Sequence, residues 1–208
     1  MPTDRRHHRK TPRQARSLAT VGIILDAAAL VLVEEGYDRA TTNRIAERAG
    51  VSIGSLYQYF PNRDALLGAL HSRTNRQISD GIWQILGERD ESQPIREILN
   101  IGVRTTIHQH ANFLPLLQVL METASGYIPV PWRAENWPRK QAFIRGILDK
   151  RTGELRRDFN VEAGTLLLPR MVGSAVDAAI AFRPDALVSG ELERELSTML
   201  SYYLTGER

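Results

Sequence analysis

Residues 41–63, with the sequence TTNRIAERAGVSIGSLYQYFPNR, constrain the fold of this chain more than any other stretch. Thr41 or Thr42 can accept hydrogen bonds from the free backbone N–H groups that open a helix. Gly50 follows an apolar stripe, at a position where a helix end often requires the positive φ that glycine adopts without strain. Ser52 can cap the next helix, and Asn62 can cap the helix that Arg63 opens. The pattern predicts two short helices joined by a tight turn and followed by a third helix.

The small side chains of Ala46 and Gly50 let the two helices cross steeply, as a helix-turn-helix requires. With Leu56 turned inward, the second helix presents short, polar and aromatic groups without an acid, which suits a DNA major groove. The residues predicted to face base edges are Ile53, Gly54, Ser55, Tyr57 and Gln58. Thr42, Arg44, Tyr59 and Arg63 are predicted to contact phosphates, and Ser52 completes the predicted DNA-binding set. Two short helices around a glycine turn without a DNA-binding role would share part of this pattern.

The same stretch resembles the DNA-binding domain of the tetracycline-repressor (TetR) family. The resemblance covers about residues 17–67 and rests on Thr41-Thr42, Ile45-Ala46, Ala49-Gly50-Val51-Ser52, Gly54, Leu56-Tyr57, Tyr59-Phe60, Arg63 and Leu66-Leu67. The family commonly has lysine where Arg63 stands, so a cation is kept at this position. The resemblance implies an all-α homodimer, with an N-terminal three-helix helix-turn-helix DNA-binding domain and a C-terminal helical ligand-binding and dimerisation domain.

Composition excludes several other classes of protein. A chain of 208 residues that is 42% hydrophobic and 25% charged is typical of a globular protein. We find no apolar run approaching the roughly 20 residues that span a bilayer, so no membrane association is expected. The N-terminus lacks an apolar secretory core, which favours a cytoplasmic protein. The absence of cysteine excludes disulfides, thiolate metal sites and cysteine nucleophiles.

Positive charge is concentrated in the N-terminal part of the chain. Residues 1–80 contain 12 Lys and Arg against 8 Asp and Glu, whereas residues 81–208 contain 15 against 16. We predict a disordered basic arm over 1–16, a helix-turn-helix domain with its connecting helix over 17–87, and a ligand-binding and dimerisation domain over 88–208. The arm could follow phosphates or enter a minor groove. Alternatively, it could merely increase solubility.

Helical spacing of apolar residues extends along the rest of the chain, and no segment alternates with a strand period. Further helices are predicted over 17–35, 63–86, 94–109, 111–124, 138–152, 161–182 and 190–204, with a loop over 125–136. Pro169 lies inside one of these helices. Because proline lacks an N–H and clashes with the preceding turn, we expect it to kink or split that helix.

The predicted C-terminal domain is rich in aromatic and flexible apolar residues, which suit a pocket for a small, mostly apolar or aromatic effector. The predicted ligand-binding residues are Arg104, His108, Phe113, Leu117, Met121, Trp132 and Trp137, with Trp83, Tyr127, Phe143 and His110 as further candidates. Residues of these types at helical spacing are equally typical of a core, so that alternative stays open. His108 and His110 are two residues apart and point to different sides of a helix, so no metal site is predicted.

The last two helices carry a small-residue face and an apolar stripe, which could form a four-helix dimer interface. The predicted interface residues are Ala175, Ala178, Ala179, Leu196, Met199, Leu200 and Tyr203. These residues could instead close the protomer's own core. A two-fold dimer would set two recognition helices about 34–36 Å apart, which predicts a near-palindromic operator in double-stranded DNA.

Together these patterns predict a sequence-specific transcriptional regulator. We expect a repressor that is released from DNA when an effector shifts the fourth helix, although activation stays open. An enzyme is not expected, because we find no Ser/His/Asp spacing, no metal-ligand cluster and no Gly-rich phosphate loop. No catalytic residue, metal or cofactor is predicted. The alternative function is binding of nucleic acid without sequence preference, or of a partner, through the basic arm.

Overall fold

The computed structural model describes the backbone of residues 12–90, 92–123 and 130–206, and the side chains of 16–90, 92–121 and 137–206. The described residues form helices and short turns without a strand, which confirms the predicted all-α class. Most of the predicted basic arm, residues 1–11, lies outside the described residues. The chain divides into two compact units, Met1–Leu70 and His71–Arg208.

The first unit is a helix-turn-helix domain. It consists of α1 (Pro12–Glu35), α2 (Thr42–Ala49), α3 (Ile53–Tyr59) and the first turns of α4 (Arg63–Gly87). Its buried side chains come from all four helices and include Ile24, Ala28, Val31, Leu32, Ile45, Ala46, Leu56, Leu66 and Leu70. This core fixes the angle between α2 and α3, because the side chains in it are fully enclosed.

The helix ends of this unit use the predicted caps. The Thr41 hydroxyl accepts a hydrogen bond from the Arg44 N–H at 3.2 Å, and the Asn62 side-chain oxygen accepts from the Ala65 N–H at 2.8 Å. Gly50 follows α2 with φ +66° and donates its N–H to the carbonyl oxygens of Ala46 and Glu47. This conformation favours glycine, so the tight turn depends on Gly50.

The second unit contains the rest of α4 together with α5 (Ile95–Ala111), α6 (Leu114–Thr123), α7 (Val130–Asp149), α8 (Val161–Phe182) and α9 (Glu191–Thr205). Short 3-10 turns at Thr152–Glu154 and Pro184–Leu187 precede α8 and α9. The predicted domain boundary lay after residue 87, whereas the compact units divide after Leu70. The division falls earlier because α4 contributes Ile78 to the hydrophobic core of the second unit.

One local prediction differs from the structure, and one is narrowed by it. The loop predicted over 125–136 is wrong from residue 130 onward, because α7 begins at Val130. Pro131 lies in the first turn of α7, where a missing N–H removes no intrahelical hydrogen bond. Residues 124–129 lie outside the described residues. Helix α8 is continuous through Pro169, so that proline does not split the helix, and the kink stays a prediction.

Two helices are long and apolar enough to cross a membrane by length and composition alone, Arg16–Glu35 and Val161–Phe182, contrary to our expectation that no such run exists. Both helices use apolar residues for protein packing. Ile24 and Leu32 of α1 are buried in the first unit, and Val176 and Ile180 of α8 are buried in the second. Core packing therefore accounts for part of their apolar composition.

Candidate nucleic-acid interface and effector cavity

Helix α3 presents the surface that was predicted to face base edges. Ile53, Gly54, Tyr57 and Gln58 are exposed, and Ser55 is half-buried. Leu56 is fully buried and directs the opposite side of α3 into the core. The side chains on the exposed surface carry no acid, so the surface has no group that would repel phosphate.

Ser52 and Ser55 define the start of this recognition helix. The Ser52 oxygen accepts the Ser55 N–H at 3.0 Å, and the two hydroxyl oxygens lie 2.8 Å apart. The hydroxyl of Ser52 therefore caps α3 in addition to lying on its exposed surface. The backbone at Gly54 is open, because a Cβ built there would have no neighbour nearer than the Ser52 oxygen at 3.9 Å.

A hydrogen bond between side chains connects the two helices of the motif. The hydroxyl oxygens of Thr42 and Tyr57 lie 3.1 Å apart, which joins the start of α2 to the exposed face of α3. Thr42 and Tyr59 are half-buried. The predicted phosphate contact Thr42 and the predicted base contact Tyr57 thus form a single polar pair.

Arg44 already binds two carboxylates of its own unit. Its Nε donates to both oxygens of Glu35 at 2.9 and 3.1 Å, and its Nη1 donates to Glu47 at 2.9 Å. The hydrogen bond from Arg44 lowers the pKa of the Glu35 carboxyl, and the same contacts raise the pKa of the guanidinium. This cation therefore joins α2 to α1, and its charge is balanced locally.

Arg63 is also bound within the first unit. Its guanidinium carbon lies 3.8 Å from the centre of the Tyr37 ring, and its Nη2 donates to the Tyr37 carbonyl oxygen. These contacts hold the start of α4 against the turn that follows α1. Sequence reasoning identified both arginines as cations but missed Glu35, Glu47 and Tyr37 as their partners.

The second unit contains a partly open cavity of about 660 Å³, within the range typical of small-molecule sites. Helices α4, α5, α7 and α8 line it mainly with apolar side chains, including Ile82, Leu86, Ile98, Leu99, Phe143 and Ile147. Its polar lining comprises Asn75, Ser79, Thr106, His110, Lys140, Arg170, Ser174 and Asp177.

Only part of the predicted ligand-binding set lines this cavity. Trp137 does, as do the further candidates Trp83, Phe143 and His110. Arg104 and His108 are exposed, with the Nε of Arg104 donating to Glu193 at 2.8 Å. Phe113 and Leu117 pack in the hydrophobic core, and Met121 is exposed. The side chain of Trp132 and all of Tyr127 lie outside the described residues.

Burial lowers the pKa of two basic side chains that line the cavity. It lowers the pKa of His110, whose Nδ1 donates to the Thr106 carbonyl oxygen at 2.7 Å. It also lowers the pKa of Lys140, while the nearby Asp177 carboxylate acts in the opposite direction on both groups. The guanidinium of Arg170 lies 5.2 Å from the centre of the Trp137 ring. The cavity thus combines apolar walls with a small cluster of mainly basic side chains.

The predicted dimer-interface residues separate into two groups. Ala178 and Met199 are exposed, and Ala175 and Tyr203 are half-buried. Ala179, Leu196 and Leu200 are buried in the protomer's own core, which corresponds to the alternative reading of these helices. They do not reach the surface, because α8 and α9 direct these side chains into their own unit.

The helix-turn-helix with an exposed recognition surface, together with a helical unit that contains a cavity, defines a DNA-binding transcription regulator. Residues 24–70 match the model of the family described as bacterial regulatory proteins, tetR family. The DNA-binding part of the chain is therefore similar to that of the TetR family, as the sequence resemblance predicted.

Similar proteins share the fold over most of the chain. The fatty acid metabolism regulator protein of Bacillus subtilis strain 168 is 23% identical over 171 residues, which cover 76% of this chain and 79% of that protein. The fatty acid degradation regulator FadR of Bacillus halodurans has a TM-score of 0.59 at 21% identity, over 90% of this chain and 99% of that one. Thermus thermophilus FadR, a transcriptional repressor solved with lauroyl-CoA, has a TM-score of 0.57 at 24% identity, over 88% and 92%.

Proposed function

We propose that this protein is a homodimeric repressor that binds a near-palindromic operator and leaves it when an acyl effector occupies the cavity of the second unit. The observation that carries the proposal is the exposed, acid-free surface of α3, which is capped by Ser52 and supported by a buried Leu56. Such a surface fits a major groove. A role on DNA would place the protein in the cytoplasm.

In this proposal, Ile53, Gly54, Ser55, Tyr57 and Gln58 face base edges, and Ser52, Thr42 and Tyr59 lie towards phosphates. Arg44 and Arg63 contribute to phosphate binding through N–H groups that are not already bound within the protein, since a guanidinium has five such donors. Their internal contacts keep both side chains in place before DNA arrives. Preorganisation of this kind reduces the entropy that binding costs.

The dimer interface that we propose uses the exposed apolar residues of the last two helices and the turn between them. Phe182 is 81% exposed and Val188 is 72% exposed, the two highest values among the exposed large apolar residues of the described part of the chain. The proposed interface consists of Ala178, Phe182, Val188, Met199 and Tyr202, with Ala175 and Tyr203 at its margin. Burial against a second copy would remove this apolar surface from water.

The effector class is inferred from the cavity walls and from the relatives. Aliphatic side chains form a large part of the cavity lining, which suits an alkyl chain, and the basic side chains Lys140 and Arg170 suit a polar or anionic end. Thermus thermophilus FadR was solved with lauroyl-CoA. We therefore propose an effector with a fatty-acyl chain.

Coupling between effector and DNA would pass through α4. This helix is continuous from Arg63 to Gly87, and its residues from Asn75 to Leu86 include a face of the cavity. An effector that prefers one position of α4 shifts the protein towards one state. A preference of about 5.5 kcal/mol would change a 99:1 population into 1:99.

Selection of binding sites from a random DNA pool at near-physiological salt tests this proposal. An enriched inverted repeat is the expected result, and Gln58→Ala should change the preferred half-site without preventing binding. Lauroyl-CoA should then release the selected DNA. Binding by folded protein that barely discriminates between sequences would instead support the alternative of non-specific nucleic-acid binding.

A further inference from the structure

One face of α4 forms a wall of the cavity and carries two hydrogen-bond donors. Asn75, Ser79, Ile82, Trp83 and Leu86 occur at the spacing of a single helix face, and all five line the cavity. Ser79 and Trp83 are one turn apart, so their side chains leave α4 in the same direction.

Both donors are buried without a partner. Ser79 is 5% exposed, and its hydroxyl oxygen is buried. The indole Nε1 of Trp83 is buried as well. Neither atom has a hydrogen-bond partner among the residues that the structure describes. A buried donor without a partner is costly, and both residues line the cavity, so a ligand acceptor that comes within reach of either donor would be favoured.

The Trp83 ring is held in a defined orientation. Its centre lies 5.0 Å from that of Phe143 in an edge-to-face arrangement, and the guanidinium carbon of Arg139 lies 4.7 Å from the ring centre. The direction of the indole N–H is therefore fixed by packing. Thr106, another hydroxyl at the cavity, differs from Ser79 because it already donates to the Gly102 carbonyl at 2.7 Å.

We propose that the effector carries a carbonyl or carboxylate oxygen that accepts hydrogen bonds from Ser79 Oγ and Trp83 Nε1 on consecutive turns of α4. This inference rests on the proposed function of the cavity and adds the polar group by which the site recognises its ligand. Tryptophan nitrogen only donates, so the matching ligand atom is an acceptor. Both contacts are made to the helix through which we propose that binding reaches the DNA-binding unit.

The site should therefore discriminate between alkyl ligands of equal length by the group at their end. A chain that ends in a carboxylate or an ester satisfies both donors, whereas a halogenated alkane leaves them unpaired. Sites that are built to hydrogen-bond a ligand strongly reject an analogue that lacks the matching group. Lys140 and Arg170 also line the cavity and add a preference for carboxylate over ester.

The test measures the affinities of decanoate, methyl decanoate and 1-chlorodecane for the full chain by displacement of a fluorescent apolar probe. Ser79→Ala and Trp83→Phe should each weaken the binding of methyl decanoate about 5- to 100-fold. Both variants should keep the wild-type affinity for 1-chlorodecane, which shows that the cavity is intact. The matched control is Thr106→Val, which removes a hydroxyl that is already paired and should leave the ester-to-chloroalkane ratio unchanged.

A second readout follows the Trp83 indole N–H by NMR, with its resonance assigned through its loss in Trp83→Phe. Methyl decanoate should move this resonance downfield, and 1-chlorodecane should not. Unchanged affinity ratios in both variants, or equal shifts with both probes, would overturn the inference while leaving the effector cavity in place. If the wild type binds none of the three probes, the proposed acyl effector is wrong and the inference falls with it.

Discussion

Arg44 and Arg63 show, at the scale of single residues, how surroundings decide what a side chain does. Both are cations beside a predicted DNA surface, yet one binds Glu35 and Glu47 and the other stacks on Tyr37. Their partners stand as many as 26 residues away in the chain. Local pattern identifies the charge of such a residue, and packing decides how much of that charge is available to phosphate.

Gly54 offers a sharp test of the recognition surface. Alanine fits there without a clash in the free protein, so Gly54→Ala should leave the unfolding free energy unchanged or raise it by up to about 1 kcal/mol. If the α3 backbone approaches DNA closely, the added methyl should weaken operator binding by about tenfold or more. Denaturant titration and fluorescence anisotropy with the selected operator measure the two effects.

Gly68→Ala is the control for this prediction, because it lies on α4 in the same unit and a Cβ built there also has no neighbour. It should affect stability similarly and leave DNA binding unchanged. Equal DNA affinity of the two variants would show that α3 does not approach DNA at Gly54.

His110 should make stability depend on pH. Burial lowers its pKa in the folded state below the ordinary 6.5, so the unfolded chain binds more protons between the two values. The contribution of neutral His110 to the unfolding free energy is complete above pH 6.5 and is lost as the pH falls towards the folded pKa. The loss is about 1.4 kcal/mol for each unit by which the folded and unfolded pKa values differ. Urea titrations at pH 8 and pH 5.5 should show a larger loss for wild type than for His110→Gln. Equal losses would mean that His110 is not responsible.

At the scale of the secondary-structure elements, helix ends are capped either by residues close in sequence or by residues far away in the chain. Thr41, Ser52 and Asn62 cap their own helices, as the sequence predicted. The N-terminus of α5 differs, because Pro94 has no capping side chain. Instead the Ile95 N–H donates to the Glu154 carboxylate at 2.7 Å, across 59 residues of chain. Such a cap depends on the fold and leaves no local signal.

Helix α8 packs closely on Phe159 because it has glycine at 164. A Cβ there would lie 2.5 Å from Cζ and 2.9 Å from Cε1 of Phe159. Gly164→Ala should therefore lower the unfolding free energy by about 1–3 kcal/mol through overpacking, despite the better helix propensity of alanine. Thermal and urea unfolding measure this change.

Gly173→Ala in the same helix is the matched control, since a Cβ there has no neighbour within 4 Å. It should stabilise the protein by about 0.5–1 kcal/mol. If both variants are stabilised, the ring of Phe159 moves aside easily and the close packing is not required.

For the whole molecule, the exposed apolar residues around α8 and α9 predict a change in oligomeric state on mutation. Phe182→Asp should weaken self-association by about tenfold or more, because a large apolar side chain would lose its burial. Analytical ultracentrifugation over a concentration series measures the dissociation constant. Ile85→Asp alters an exposed apolar residue of α4 and serves as the control. Equal dissociation constants for the two variants and the wild type would contradict the proposed interface.

The sequence by itself determined the all-α class, the helix-turn-helix, its caps and the exposed side of α3. These follow from contacts between residues that are close in the chain, such as Thr41 with Arg44 and Ser52 with Ser55. Helical periodicity also placed α8 within its observed limits, Val161–Phe182.

Only the tertiary structure decided which residues of these helices face a cavity, a core or solvent. Leu117 and Trp137 were equal candidates in the sequence, but one packs in the core and the other lines the cavity. Ser79 gave no sequence signal, and we infer a role for it only because it lines the cavity and its buried hydroxyl has no partner among the described residues. Helical periodicity defines the apolar side of a helix, whereas the neighbouring helices determine where space remains beside it.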